Sequence, residues 1–532
     1  MRLYFILLLL LFQVETHAQL FNYSIELDSV KIEKLGGLQS FAFGQADGKW
    51  LIIGGRLDGL HRRQPWASFN KAGHNTQLFV VDPIAKKQWA MTDTLLNPAL
   101  REQLSSTNME FYQEGEILYL IGGYGFSATK NDHITFPSII ACNVSEIIQS
   151  IIAGTPLKNE QFQQIKEEKF AVTGGQLQRM NGLYYLVGGH RFDGRYNPMN
   201  NPTFEQVYTN QVQIFELGIS DHQLKYRFVD SLYSQESMHR RDFNVLPQID
   251  QNGTEKIIAF SGVFQEELDI PYLSAVEIKP TSLQGIPIFA QYYNHYHSAS
   301  ISLFDTQTKA MHNLFFGGIA NYTDSLGSLV MDTDVPFVST ISRVSSSTNG
   351  QLAEFKMPIK MPHYLGAAAE FIPNPMLKKS ANDVLLLEDF SGDSLLLGSI
   401  FGGIKSTAAA IFWINTGVES SASAYIYPVY LKKNKQSVGQ LNPQSVNGLQ
   451  LHVYADAFQK EMNVQFMNSS MGKADIMLLN SNGKSILKKS IRSKKGHAYS
   501  GYFKCRKLKV GERYRFILTT EKQQVEHWIL VH

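Results

Sequence analysis

The residues of this chain best suited to chemistry are basic and aromatic, and they come in short runs. Arg62-Arg63, His190-Arg191 with Arg195-Tyr196, His239-Arg240-Arg241-Asp242, His295-Tyr296-His297 and His363-Tyr364 hold many of the histidines and a dense share of the arginines. Guanidinium forks grip carboxylates, imidazoles exchange protons near neutral pH, and phenol rings stack on sugar faces. These types suit an anionic ligand, with proton transfer within reach of the imidazoles. His295-x-His297 also has metal-ligand spacing, because on a strand both imidazoles share a face and His239 or His363 could complete a set of three. The sequence does not commit them to a metal, and no cofactor is expected. Asp242 beside Arg240 and Arg241 is a candidate carboxylate, and the same proximity would equally make it a structural ion pair. Nothing matches a nucleophile elbow, a Walker loop, a dinucleotide fingerprint or a zincin helix.

What must position these runs is a repeat. A short apolar strand enters a glycine doublet at LIIGG (Leu51 to Gly55), YLIGG (Tyr119 to Gly123), YLVGG (Tyr185 to Gly189), LFFGG (Leu314 to Gly318) and SIFGG (Ser399 to Gly403), with AFSG (Ala259 to Gly262) as a sixth copy in which Ser261 replaces the first glycine. Units returning at intervals of roughly 55 to 85 residues mark a repeat architecture, since no single unit can bury its apolar face alone. A half-alternating strand precedes each doublet, as in SFAFGQ, EFYQEG and GAAAEFI. Third and fourth strands are expected after it, such as SIIACNV then EKFAVT, LSAVEI then IPIFAQY, and AIFWIN then AYIYPVY. Four antiparallel strands per unit describe a propeller blade, and helices are not expected within the repeats. The doublets suit a crowded place near the axis, where a Cβ would clash or φ must be positive. The segment Asn22 to Leu35 alternates well enough to be a further strand. Either it closes the last blade, or Tyr425 to Leu431 completes that blade by itself.

The fold class expected is therefore all-β, a six-bladed β-propeller over 19–435 followed by a small β-sandwich. Hydrophobic triplet, Gly-Gly, variable loop and aromatic-containing strand together resemble the kelch repeat over about residues 20–431. In a propeller the loops between second and third strands, and those entering each inner strand, emerge on one face. Arg62, Arg63, His190, Arg191, Arg195, Tyr196, His239, Arg240, Arg241, Asp242, His295, Tyr296, His297, His363 and Tyr364 would then converge on the mouth as ligand-binding residues. The resemblance implies the same place, since known ligands of kelch-like propellers lie over this mouth. It leaves two function classes: a secreted or surface module binding a glycan or protein ligand, and a carbohydrate-active enzyme of sialic acid mutarotase or polysaccharide lyase type. Copper radical oxidases share the architecture and need a cysteine cross-linked to tyrosine, which neither Cys142 nor Cys505 is placed to supply.

Composition limits the setting. The first residues, MRLYFILLLLLFQVETHAQ, read as a secretory signal peptide over 1–18, whose apolar core is too short for a bilayer of about 30 Å. No transmembrane segment is expected. Two cysteines in 532 residues exclude a disulfide framework. The net charge of +2 conceals 18 Lys and Arg against 6 Asp and Glu from Lys432 onward, and 30 against 40 in 20–431. A basic module on an acidic body implies separate surfaces, and a secreted acidic body is a poor nucleic-acid binder. After a linker at 436–447, the residues 448–532 read as a sandwich of six or seven strands with an Asn482-Gly483 turn. LLNSNGKSILKKSI and the closing RYRFILTTEKQQVEHWILVH resemble the C-terminal sorting domain of proteins exported by the type IX system of Bacteroidetes, with Tyr454 to Phe458 in place of the usual opening. That resemblance implies export machinery as a partner and a cell-surface or secreted location.

Overall fold

A computed structural model describes residues 21–197, 203–221, 223–287, 289–325, 328–332, 334–346, 350–388, 390, 392–433, 450–456, 460–467, 472–493, 498–509, 512–521 and 524–531. The segment read as a signal peptide and the linker at 436–447 lie outside them. Strands dominate and nearly every pairing is antiparallel. No helix among the described residues is long and apolar enough to cross a membrane.

Among the described residues up to Lys433, six sheets of four or five strands succeed one another along the chain, with four two-stranded ribbons besides. The first contains Ala42–Ala46, Lys49–Ile53, Gln77–Asp82 and Lys87–Thr92. The second contains Glu110–Glu114, Ile117–Ile121, Ser138–Asn143 and Phe162–Lys166; the third, Gln176–Met180, Leu183–Val187, Gln211–Ser220 and Gln223–Tyr233. Asn244–Ile249, Glu255–Phe260, Ala275–Lys279 and Ser282–Gly285 make the fourth. The fifth has Ser300–Asp305, Ala310–Ile319, Phe337–Ser346 and Leu352–Lys360, with Leu385–Leu387 added in parallel at its first strand. In the sixth, Ala369–Pro373, Ser394–Gly402 and Tyr425–Lys433 are completed by Tyr23–Leu27, whose Ile25 pairs with Leu431. The N-terminal strand therefore closes the last sheet, and Tyr425–Lys433 is its third strand.

Successive strand residues face opposite sides of a sheet, and here both sides are buried. Leu118 and Leu120 pack toward the first sheet with Leu51 and Ile53, while Tyr119 and Ile121 pack toward the third with Tyr184 and Leu186. Equivalent cores fill the remaining gaps, and Phe401 and Ile372 of the sixth sheet meet Trp50 and Ile52 of the first. The sheets form a closed ring.

At its centre is a cycle of backbone hydrogen bonds, one residue from each sheet's entry. Asn108 N donates to Ser40 O (3.1 Å), Gly174 N to Asn108 O (3.3 Å), Asp242 N to Gly174 O (2.8 Å), His297 N to Asp242 O (3.1 Å), Ala368 N to His297 O (2.6 Å), and Ser40 N back to Ala368 O (2.9 Å). The doublets fasten the sheets next to this cycle: Gly55 N reaches Ser106 O (2.8 Å), Gly123 N reaches Val172 O (2.9 Å), and Gly403 N reaches Leu38 O (2.9 Å). Both members of every doublet have positive φ, Ser261 included at 56°. A Cβ on Gly317 would lie 1.8 Å from the Leu365 carbonyl oxygen, so glycine there answers crowding as well as conformation.

Several strand assignments are corrected. EKFAVT is not the fourth strand of its unit; Phe162–Lys166 is, and Glu168–Phe170 is a 3-10 turn whose Phe170 is buried between sheets. IPIFAQY gives way to Ser282–Gly285. AIFWIN lies in turns, where Ile411 is buried and Phe412 stacks on Phe337 at 5.8 Å. Phe170, Phe289 and Ile411 of these runs are buried by loop packing instead of by a ladder. Helices do occur: Val144–Ala153 is capped by Asn143 and by Gly154 in the left-handed conformation, and it buries Val144, Ile147, Ile148 and Ile151 between the first two sheets. In the C-terminal region all seven strands read from the sequence are present, in a three-stranded and a four-stranded sheet that share one apolar core. Gly483 makes the expected turn at φ 75°.

The fifth sheet encloses a polar relay. His295 is fully buried, with Nδ1 2.5 Å from Gly317 O and Nε2 2.7 Å from Ser342 Oγ. A carbonyl only accepts, so Nδ1 carries the proton and Nε2 accepts the Ser342 hydroxyl. Ser342 Oγ lies 2.9 Å from Glu354 Oε1, which then must carry the proton on this contact, while Glu354 Oε2 accepts from Tyr292 N at 2.7 Å. Burial pushes the Glu354 carboxyl up to about 7 and pulls the His295 imidazole down to about 4, which fits a neutral relay. A carboxyl whose folded pKa exceeds its unfolded value opposes folding as pH rises from the unfolded value through the folded one. Glutamine reproduces the protonated geometry, so Glu354→Gln should match the parent near pH 4.5 and gain stability on the order of 3 kcal/mol by pH 8. Urea denaturation at both pH values checks this, and a pH-independent difference contradicts the relay.

Candidate functional site

The hydrogen-bonded cycle delivers side chains to the axis in a fixed order. Asp242 and His297 are members of it, Arg241 and Tyr296 precede them, and Glu110 and Glu370 follow two residues after the members Asn108 and Ala368. Arg241 is held by a backbone bridge to Val263, donates Nη1 to Asp242, and donates Nε to Tyr208 Oη at 3.2 Å. Its Nη2 has no partner among the described residues. The Arg241 and Asp242 side chains are 20% and 25% exposed, and those of His297 and Glu370, joined Nε2 to Oε1 at 3.0 Å, are 15% each. These groups are sheltered yet reachable. Glu110 is deeper: Oε1 accepts from Gly175 N at 2.8 Å, Oε2 has no partner among the described residues, and burial pushes the carboxyl well above its ordinary range.

Around Arg241 stand groups that the site keeps neutral. Burial pulls His61 down to about 4 and His190 well below its ordinary value, and lowers His239, with the nearby Arg241 charge adding to each. His190 Nδ1 accepts from Gln206 Nε2 at 2.7 Å, and His239 donates Nδ1 to Asn210 Oδ1 at 3.0 Å while stacking on Tyr208 at 3.7 Å. Burial raises the Tyr196 and Tyr296 phenols, and the Tyr296 hydroxyl has no partner among the described residues. His297 goes the other way. Burial opposes its charge, but Glu370 and Asp242 outweigh that and raise it.

The fifteen residues read from the sequence thus divide. His190, Tyr196, His239, Arg241, Asp242, Tyr296 and His297 meet at the axis. Arg240 does not: it is buried over the Tyr272 ring at 3.9 Å, its guanidinium spent on the Ser237, Ser261 and Ser274 carbonyls and the Ser274 hydroxyl. His295 belongs to the relay, so it does not share a face with His297. It takes φ 52° in a turn outside any strand, which breaks the alternation a shared face requires. Arg63 and Arg195 fasten loops, the first to Trp413 O (2.8 Å), the second to Ser68 O (2.8 Å) and Trp66 O. Arg62 is exposed beside Gly417. Arg191 is exposed, bonded to Asp193 (2.6 Å) and Glu168 (2.9 Å). His363 and Tyr364 line a separate cleft. Both cysteines are buried in apolar cores, Cys142 in the second sheet and Cys505 in the C-terminal region.

Sequence reading missed Glu110, Tyr208 and Glu370. The signal for two of them was present, since Glu110 and Glu370 are the charged residues of EFYQEG and GAAAEFI that fall two places after the cycle members.

No protein-family model and no curated protein matches the chain. Among solved structures, it is similar to a fungal alcohol oxidase of the AA5 family in complex with copper, at 9% identity and TM-score 0.39 over 96% of this chain and 100% of that one. It is also similar to YjhT, at 12% identity and TM-score 0.39 over 78% of this chain and 99% of that one.

Because the folded pKa of His297 lies above its unfolded value, its contribution to stability is complete below about pH 6.5 and lost as pH rises through the folded value. His297→Gln should therefore cost about 1.5 kcal/mol or more at pH 6, the worth of a charge-assisted hydrogen bond, and much less at pH 9. Paired denaturation curves test the sign, and an equal loss at both pH values would assign His297 to packing alone.

Proposed function

We propose that the six sheets are the blades of a kelch-like propeller, and that its mouth binds an anionic glycan through Arg241. The observation carrying this is the free Nη2 edge of a guanidinium that is one-fifth exposed and surrounded by imidazoles and phenols kept neutral. A partly exposed cation with spare donors favours a carboxylate, and Tyr196 and Tyr296 place further phenols beside it for a sugar ring. The two C-terminal sheets, with seven strands and a shared core, are a β-sandwich in this proposal. The type IX sorting-domain resemblance then gives the chain an exported, surface or secreted location.

A second reading has its own support. The His297–Glu370 pair, with Asp242 nearby, is a proton donor and acceptor set beside the anion site, as anomerisation of an acidic sugar would require. The chain would then be mutarotase-like.

Titration of N-acetylneuraminate, galacturonate and galactose distinguishes these readings. An arginine–carboxylate contact contributes about 1.5 to 3 kcal/mol, so Arg241→Met should weaken the acidic sugars roughly 10- to 150-fold and leave galactose unchanged. Anomerisation followed by NMR on any sugar that binds decides between module and enzyme. If Arg241→Met leaves every affinity intact in a folded protein, the mouth reading is wrong.

A further inference from the structure

A second opening lies on the loop side, between the segment entering the sixth sheet and the ribbon Ile404–Ser406 with Ser420–Ala422. Its volume is about 630 Å³, and no carboxylate lines it. Lys405 does, half-buried, with no hydrogen bond or ion pair among the described residues. The acids that could have neutralised it are committed elsewhere. Asp58, whose backbone bridges Ser421, is gripped by Arg56 at 2.7 and 2.5 Å, and Glu419 is spent on the Thr416, Gly417 and Val418 amides at 2.7 to 3.2 Å. Tyr364, whose backbone bridges Ser406 next to Lys405, is 36% exposed, with His363 exposed beside it. Ser420 Oγ accepts from Leu60 N at 2.9 Å, which leaves its hydroxyl proton to donate.

A half-buried lysine with no counter-charge among the described residues attracts an incoming anion, and an open phenol face with hydroxyl donors beside it fits a sugar ring. We infer that this cleft is a second carbohydrate subsite taking a ring that bears a carboxylate, so that the ligand is an oligosaccharide with acidic units. The inference rests on the Arg241 site for its first subsite. Uronic and sialic acids share the recognised chemistry, and trigalacturonate and sialyllactose separate them.

The test is calorimetric titration of the full chain with galacturonate, trigalacturonate and sialyllactose, using Lys405→Met, Tyr364→Ala and Arg241→Met. Lys405 and Tyr364 are not core residues, and circular dichroism confirms the fold of each variant. Lys405→Met should weaken at least one acidic oligosaccharide about tenfold, with a matching loss of salt sensitivity, and leave galacturonate within twofold. Tyr364→Ala should weaken the same oligosaccharide. Loss with trigalacturonate alone identifies a uronate chain; loss with sialyllactose alone identifies a sialoside. If Lys405→Met stays within twofold for both while Arg241→Met weakens them, the cleft is not a subsite and the axial reading survives. If Lys405→Met weakens binding while Arg241→Met does not, the cleft stands and the axial reading falls. A wild-type chain that binds neither oligosaccharide overturns the inference.

Discussion

The ring depends on one geometric constraint: six backbone segments must approach a common axis closely enough for each to donate an amide to the last. Side chains at the approach would prevent it. Five of the six members take φ between 49° and 67°, and the doublets behind them supply paired positive φ values and vacant Cβ positions. Positive φ costs non-glycine residues on the order of 1 kcal/mol each, so Ser40, Asn108, Asp242 and Ala368 persist there because the cycle and both neighbouring cores hold them. The last sheet closes the same way. Tyr23–Leu27 lends its ladder to Tyr425–Lys433, joining the described start of the chain to the end of the repeats.

From that constraint the site follows. A backbone cycle cannot choose side chains, but it fixes which sequence positions face the axis. Asp242 and His297 are there because they are cycle members, and Glu370 because it is two residues past Ala368 on a pleated strand. Their charges then sort by burial. Burial pushes the carboxyl of Glu110, the deepest, well above its ordinary range, whereas Asp242 contacts Arg241 and Glu370 contacts His297. The result is a pair of opposite-sign contacts at the axis, with Arg241 Nη2 left without a partner among the described residues.

The doublets, most of the first three strands of each unit and every C-terminal strand were legible, because each is an apolar run with a period of two ended by a turn residue. What was not legible has a common cause. IPIFAQY and AIFWIN have strand composition, yet Phe289 and Ile411 are buried in loop packing, and composition does not separate a ladder from a plug. Arg240 and Arg241 are adjacent and chemically equal, but neighbouring residues point opposite ways, so one is sunk among carbonyls while the other is partly exposed beside Asp242 at the axis. His295 and His297 were expected to share a face as alternate strand residues. A left-handed turn at His295 removes that relation and sends its ring into the core.

Charge on the whole body and charge at the site act at different ranges. The residues 20–431 carry 30 basic against 40 acidic side chains, which disfavours approach of an anion from afar. At physiological salt that field decays over about 8 Å, so it slows encounter more than it weakens the bound state. Contact is governed instead by donors at hydrogen-bond distance in a medium less polar than water, where a guanidinium edge outweighs a diffuse surface charge. Imidazoles kept neutral by burial contribute by what they do not do: they add no competing charge and leave Arg241 the dominant cation of the axis. In the proposed reading an acidic body and an anion site are therefore compatible, since the surface discourages indiscriminate anion binding while the open edge of Arg241 would take the carboxylate of an anion whose shape reaches it.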